Sequence, residues 1–231
     1  MRLSLSEVEV TTRKAALGAG FPLGLAEEAG ACAAWLAAAG FPFDRLVAAA
    51  LLTGAPERPR IIRRGNVYEV AGEGACSAIR ILPSACDLII ASASARRQIS
   101  VEARVDVPAL AIAQAALATA ASAVPLAVEI DTKLSAVAGE NSIVLFGAIG
   151  ERAALRSERV AIRLATEGDA VGLQSVDGAE IAVARSLALE EGVVAEDSWW
   201  QQISSLSART LVPATTQSRE HGAGAGLIDS D

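Results

Sequence analysis

The residues of this 231-residue chain that could do chemistry together gather near its end. The segment Ser218-Arg219-Glu220-His221-Gly222-Ala223-Gly224-Ala225-Gly226-Leu227-Ile228-Asp229 alternates glycine with alanine between a cation and a carboxylate. Glycines so spaced leave the backbone free to adopt positive φ and to present successive N–H groups, an arrangement that cradles an anion. Arg219 would add a bidentate fork, with Ser218 and Asp229 flanking the backbone of Gly222, Gly224 and Gly226. His221 is the sole histidine, so imidazole chemistry near neutral pH rests on it alone. Glu27 joins it as a candidate proton carrier. The expected chemistry is the binding of a small anionic metabolite, with Glu27 or His221 moving protons. Each feature also has a plainer account. Chain ends of this composition are commonly solvent-borne, and acidic residues in a first helical turn complement the helix dipole without further purpose. Glu27 and Glu28, as sequence neighbours, point about 100° apart on a helix, so at most one is expected to line a cleft.

Several other chemistries find no support. Cys32, Cys76 and Cys86 share no metal-ligand spacing and sit in no nucleophile motif. Catalytic zinc would need more histidines, and no metal or cofactor is assigned, although carboxylate-bound magnesium needs few protein ligands. There is no Walker loop, no dinucleotide fingerprint after a strand and no G-x-S-x-G elbow. A net charge of −7 argues against a nucleic-acid partner. The basic run Arg58, Arg60, Arg63 and Arg64 reads first as a solvated connector, second as a phosphate contact or a partner for Asp229 and Asp231. Trp199 and Trp200 read as packing anchors or a homo-oligomer contact. With no signal peptide read at the start, three cysteines point to reduced, buried thiols and a cytoplasmic location.

The elements that must position these groups are organised around Val107 to Val128, the longest stretch without a charged side chain. Pro108 suits a first helical turn and Pro125 restricts Val124 to extended geometry, so a helix is expected between them. Gln114, Thr119, Ser122 and an alanine majority weigh against a membrane span. A helix apolar on every side must be covered on every side.

Before it, a capping box at Ser4 and Glu7 starts a helix that carries an expected Glu9–Arg13 pair and ends at Gly18-Ala19-Gly20. A second helix is expected over Leu25–Ala39, and a third, capped by Asp44, through Leu52. Strands are expected at Asn66–Val70 and Gln98–Val105. Between Cys76 and Ala93 two readings stand: a strand at Ala78–Leu82, or a helix opened by Pro83. Beyond the central helix, strands are expected at Leu126–Ile130, Ser142–Ile149, Glu158–Thr166 and Ala170–Val176. Asp177-Gly178 reads as a type I′ turn into a further strand at Glu180–Arg185. A last helix is expected over Glu196–Leu206, capped by Asp197 or Ser198. The fold class is therefore α+β, with an N-terminal helical lobe (1–56) and then a mixed, mainly antiparallel sheet packed on the central helix (57–211). A glycine-rich tail (212–231) follows.

The segments LSLSEVE, RKAALGAG, GLAEEAG and WLA, with GAGAGLIDSD at the end, resemble an uncharacterised family of bacterial proteins, a domain of unknown function. The resemblance covers the first forty residues and the last fifteen and brings no activity with it. It implies that Ser218, Arg219, Gly222, Gly224, Gly226 and Asp229 belong to the family pattern, and that the tail is docked on the body rather than solvent-borne. Two classes of function remain: a cytoplasmic metabolic enzyme or binding protein for a small anionic ligand, or a non-catalytic accessory, oligomer-forming protein.

Overall fold

A computed structural model describes residues 1–53, 60–72, 74–139, 142–146, 155–170, 175–176 and 178–210. The chain opens with a short strand, β1 (Arg2–Leu3), and three helices, α1 (Leu5–Gly18), α2 (Leu23–Ala38) and α3 (Phe43–Leu52). The capping box forms: the Ser4 hydroxyl accepts from the Glu7 N–H at 3.2 Å and the Glu7 carboxylate accepts from the Ser4 N–H. Gly20 and Gly40, both at positive φ, close α1 and α2. Asp44 does not cap α3. Pro42 holds the N-cap position, and Asp44 lies buried in the first turn, its carboxylate accepting from the Glu196 N–H at 2.6 Å.

The hairpin β2 (Arg60–Arg64) and β3 (Val67–Ala71) follows, then α4 (Ala78–Ser94) and β4 (Ser100–Val105). The ambiguous stretch is thus one helix, and Pro83 sits inside it. Pro83 is the sixth residue of α4, so it forgoes the bond to the Ile79 carbonyl, a cost offset by the buried face of Ile79, Leu82, Ala85, Cys86 and Ile89. The central helix α5 runs Ala109–Ser122 after Pro108 and is closed by Ala123 in the left-handed conformation. Among the described residues no helix is long and apolar enough to cross a membrane.

Strands β5 (Leu126–Ile130), β6 (Lys133–Gly139), β7 (Ser142–Phe146), β8 (Glu158–Leu164) and β9 (Ser175–Val176) complete a sheet of order β2-β3-β4-β8-β5-β6-β7-β9. Among the described strands only β3 and β4 pair in parallel, joined by the α4 crossover, and an isolated parallel bridge links Cys76 to Val105. β4 and β5, on either side of α5, both pair antiparallel with β8, which is inserted between them. β6 is a strand absent from the sequence reading; the turn that leads into it places Asp131 and Thr132 at φ 50° and 65°, the two positive values a type I′ hairpin requires.

The expected Asp177-Gly178 hairpin is overturned. β9 is two residues long, Gly178 begins helix α6 (Gly178–Glu191), and no strand covers Glu180–Arg185. The alternation of Ile181, Val183 and Arg185 is short, and the longer run is rich in alanine, leucine and glutamate, all strong helix formers. After β10 (Val193–Val194), which pairs with β1, helix α7 (Asp197–Ala208) returns to pack on α1 and α3. Neither Asp197 nor Ser198 caps it. Asp197 takes the Met1 ammonium at 2.8 Å instead. The molecule is α+β and layered: the sheet, then α4 and α5 against it, then α2 over those helices, with α1 packed on α2.

Candidate functional site

At the α1–α2 crossing the two helices approach closely because residue 30 is glycine. A Cβ there would lie 2.8 Å from the Glu9 carbonyl oxygen and 3.3 Å from the Arg13 Cβ. This approach sets the Glu9 and Arg13 side chains at the mouth of a cleft of about 600 Å³ between α1, α2, α4 and α5. Glu27, Glu28, Asp87 and Gln114 also line it, with Ile90 and Leu117 on the apolar side. The expected Glu9–Arg13 ion pair does not form. Among the described residues, the side chains of Glu9, Arg13, Glu27 and Asp87 make no hydrogen bond or ion pair.

Gln114 is the polar interruption that organises the floor. Its residue is only 6 % exposed. Its Nε2 donates to the Glu28 carboxylate at 2.9 Å, and its Oε1 accepts from the Cys32 thiol at 3.1 Å. The reverse amide orientation would set the Gln114 oxygen against the Glu28 carboxylate, acceptor facing acceptor. Burial, then the neighbouring Glu28 carboxylate and Cys86, push the Cys32 thiol well above its ordinary range. Burial, then Asp87 and Glu28, push Cys86 up to about 12. Both thiols are therefore neutral at physiological pH. Cys32 is a donor that holds an amide, not a nucleophile.

Elsewhere, Asp106 binds two helix starts: its Oδ1 accepts from the Ala78 N–H and the Val107 N–H, each at 2.8 Å. Burial raises its pKa against the opposing effect of these hydrogen bonds. Arg163 is enclosed by Glu129 and Asp169. No group of three or more His, Cys, Asp and Glu side chains among the described residues is placed to hold a metal ion.

Of the candidate residues named from sequence, Glu27 is in the cleft. Glu28 lines it too, against the expectation that only one of the pair would, because the cleft wraps around the start of α2. His221, Arg219, Ser218, Gly222, Gly224, Gly226 and Asp229 lie outside the described residues. In the sequence, Gln114 counts only against a membrane span, Glu9 is expected to pair with Arg13, and Asp87 carries no expectation. The available signal was Gln114 itself, the one amide in the central apolar run. Trp200 is 5 % exposed and packs edge-on against Phe43 at 6.2 Å, so it anchors α7 to the lobe and is closed to a partner. Arg60, Arg63 and Arg64 stand on the exposed strand β2, Arg64 paired with Glu69 and Arg63 over Tyr68.

A family model described as "Protein of unknown function (DUF3726)" matches residues 3–55. No curated protein matches the chain. Among solved structures, the chain is similar to malate dehydrogenase from Entamoeba histolytica, with a TM-score of 0.58 and 9% identity over 93% of this chain and 99% of that one. It is also similar to malate dehydrogenase from Pyrococcus horikoshii OT3, with a TM-score of 0.56 and 10% identity over 93% and 97%. At such identity the likeness is one of fold.

Proposed function

We propose that the chain is a metabolic protein that binds a small carboxylate-bearing ligand in the cleft between α1, α2, α4 and α5, with residues 212–231 docked over it. One observation carries this reading: a cleft of about 600 Å³ with Glu27 on its wall and a buried amide beside it, in a fold shared along nearly the whole chain with two malate dehydrogenases. Arg13 meets the ligand's carboxylate from the lobe. Arg219, Ser218, Asp229 and the backbone of Gly222, Gly224 and Gly226 meet it from the tail, and Glu27 and His221 are the proton carriers.

The path of the chain supports the tail's part. The last turn of α7 lies against the end of α1, where a Cβ on Gly18 would fall 1.9 Å from the Leu206 carbonyl oxygen. Arg13 is five residues earlier on α1, about 7.5 Å along the helix. The segment after Thr210 therefore sets out close to the cleft, and its extended reach of roughly 70 Å is ample.

A thermal-shift screen of organic acids and phosphorylated metabolites tests the reading. A ligand that stabilises the full chain is expected to lose its effect on deletion of Gly222–Asp231, on Arg219→Ala and on Glu27→Gln, while the unliganded transition stays in place. Absence of any ligand-induced shift in the full chain overturns it. A non-catalytic, oligomer-forming role is favoured by one feature, the outward Val183, Leu187 and Leu189 of α6. Light scattering that shows a dimer broken by Leu187→Glu, with no ligand found, would establish that second reading.

A further inference from the structure

We infer that residues 227–231 pair with β2 as an added parallel strand in the ligand-free chain, and that ligand binding draws them off. The inference rests on the ligand-binding reading above for where the tail goes with ligand, and adds where it is held without one. β2 closes one end of the eight-stranded sheet, with β3 on one side and no described strand on the other. All five of its residues are exposed, Ile61 by 66 % and Ile62 by 39 %. Arginines on an edge serve to keep other strands away. Two neighbouring exposed isoleucines do the opposite, since their apolar surface stays in water unless something covers it. A second copy of β2 is poorly matched: antiparallel pairing centred on Ile62 would set Arg60 against Arg64, like charge against like.

The end of the sequence answers β2 residue for residue. Laid parallel to it, Leu227 falls beside Ile61, Ile228 beside Ile62, Asp229 beside Arg63 and Ser230 beside Arg64. A slip of one residue sets Asp229 against Ile62 or Ile228 against Arg63, so the pattern specifies its register. Among the described residues, Arg63 lies over the Tyr68 ring and donates from Nε to the Gly65 carbonyl, which leaves its terminal nitrogens for a carboxylate.

The fold sets the direction of approach. A Cβ on Gly18 would stand 3.3 Å from the Arg209 Cβ at the end of α7. Three residues further on, Phe21 carries the guanidinium of Arg80, from the first turn of α4, at 5.0 Å from its ring centre. Just before α4, the Cys76 Sγ would stand 3.6 Å from a Cβ on Gly72. Gly72 follows Ala71, the pairing partner of Arg60. The tail therefore sets out on the side of the molecule where β2 begins. From Thr210 to Gly226 the chain can reach up to about 50 Å, which brings it to Arg60 and lets it run on toward Arg64, the parallel sense that the side-chain pattern requires. Asp229 cannot hold Arg63 and the ligand together, so the two positions of the tail compete.

Disulfide trapping in the full chain tests the pairing. Ile62→Cys with Ile228→Cys joins positions that paired strands hold within disulfide range, and Cys32, Cys76 and Cys86 are buried. Under oxidised glutathione at low protein concentration, an intrachain disulfide is expected to form about ten-fold or more faster than for Ile62→Cys with Leu227→Cys, whose side chains would point to opposite faces. Adding Arg63→Glu should slow the trapping about five-fold, and Asp229→Arg on that background should restore it. A ligand from the thermal-shift screen should slow it as well. Equal rates for the two cysteine pairs, a disulfide between chains, or no recovery with Asp229→Arg overturns the inference and leaves the ligand-binding reading intact. Trapping that such a ligand leaves unchanged also overturns it. A screen that finds no ligand overturns the ligand-binding reading, while the trapping rates still decide the pairing.

Discussion

Both carboxylate oxygens of Asp169 accept from the Arg163 guanidinium, at 2.6 and 2.7 Å, and the Thr166 N–H adds a third bond at 2.6 Å. The hydrogen bond from Arg163 is the main reason that the Asp169 carboxyl is pulled down to about 2, against its desolvation. A carboxyl whose folded pKa lies below its unfolded value adds stability that is present above the unfolded pKa and lost as pH falls through the folded one. Asp169→Asn is therefore expected to destabilise the protein at pH 7, with the difference from the parent shrinking as pH falls from about 4 toward 2. Urea midpoints at several pH values check this; a constant difference would show that Asp169 acts by packing. Cys32 and Cys86 titrate in the opposite sense, since burial keeps them protonated. Ellman's reagent at pH 8 is expected to find them unreactive in the folded protein and all three free thiols reactive in denaturant. Rapid reaction of the native chain would contradict the buried assignment.

Helix contacts make a sharper demand on backbone shape than on side-chain chemistry. Gly18 and Gly24 look alike in sequence, one ending α1 and the other opening α2. At Gly18 an added Cβ meets the Leu206 carbonyl at 1.9 Å, whereas at Gly24 nothing lies within 4 Å and φ is not positive. Gly18→Ala must displace α7 and is expected to cost about 1–3 kcal/mol or more, by analogy with overpacking elsewhere. Gly24→Ala should stabilise by about 0.4–1 kcal/mol through the unfolded chain. Thermal denaturation of the two variants checks the opposite signs. The same scale explains the misread elements. Asp177-Gly178 carries a local hairpin signal, but the residues after it are strong helix formers with an apolar face to bury. Here residues 178–191 instead bury Ile181 and Ala188 on one helical face. β6 shows the converse: Ala136 and Ala138 are weak strand formers held by β5 and β7 on either side.

Across the whole molecule, the helical lobe is completed from the far end of the chain. α7 lies on α1 and α3, Trp200 packs on Phe43, Asp44 accepts from the Glu196 N–H, and β1 pairs with β10. A fragment of residues 1–56 is therefore expected to lack a cooperative melting transition, because the faces covered by α7, α4 and α5 would open to water. Circular dichroism during heating checks this, and a sharp transition would show the lobe to be independent. In the full chain, Asp44→Ala should lower stability by about 1.5–3 kcal/mol, since it removes the charged acceptor of the Glu196 N–H. A denaturation midpoint like the parent's would count against that tie.

Local sequence determined a good part of this. The Ser4 and Glu7 capping box, the prolines bounding α5, the glycines closing α1 and α2, and the alternation of β4 and β8 are all decided within a few residues of themselves. For that reason they were legible, as was the α+β class that follows from their order. Glu27 was legible as a carboxylate at the start of a helix, but its cleft was not. That cleft needs Gly30 to bring α1 onto α2, and α5 to bring Gln114 beneath Glu28, 86 residues away in sequence. Strand order, the insertion of β8 between β4 and β5, and the helical fate of residues 178–191 likewise depend on partners distant in the chain. Hydrophobic burial rewards whichever partner covers a face, and neighbouring residues carry no record of which partner that will be. The opening expectation placed the chemistry in the glycine-rich tail. Tertiary structure adds a cleft that the sequence did not show, with the buried amide of the central helix among its lining.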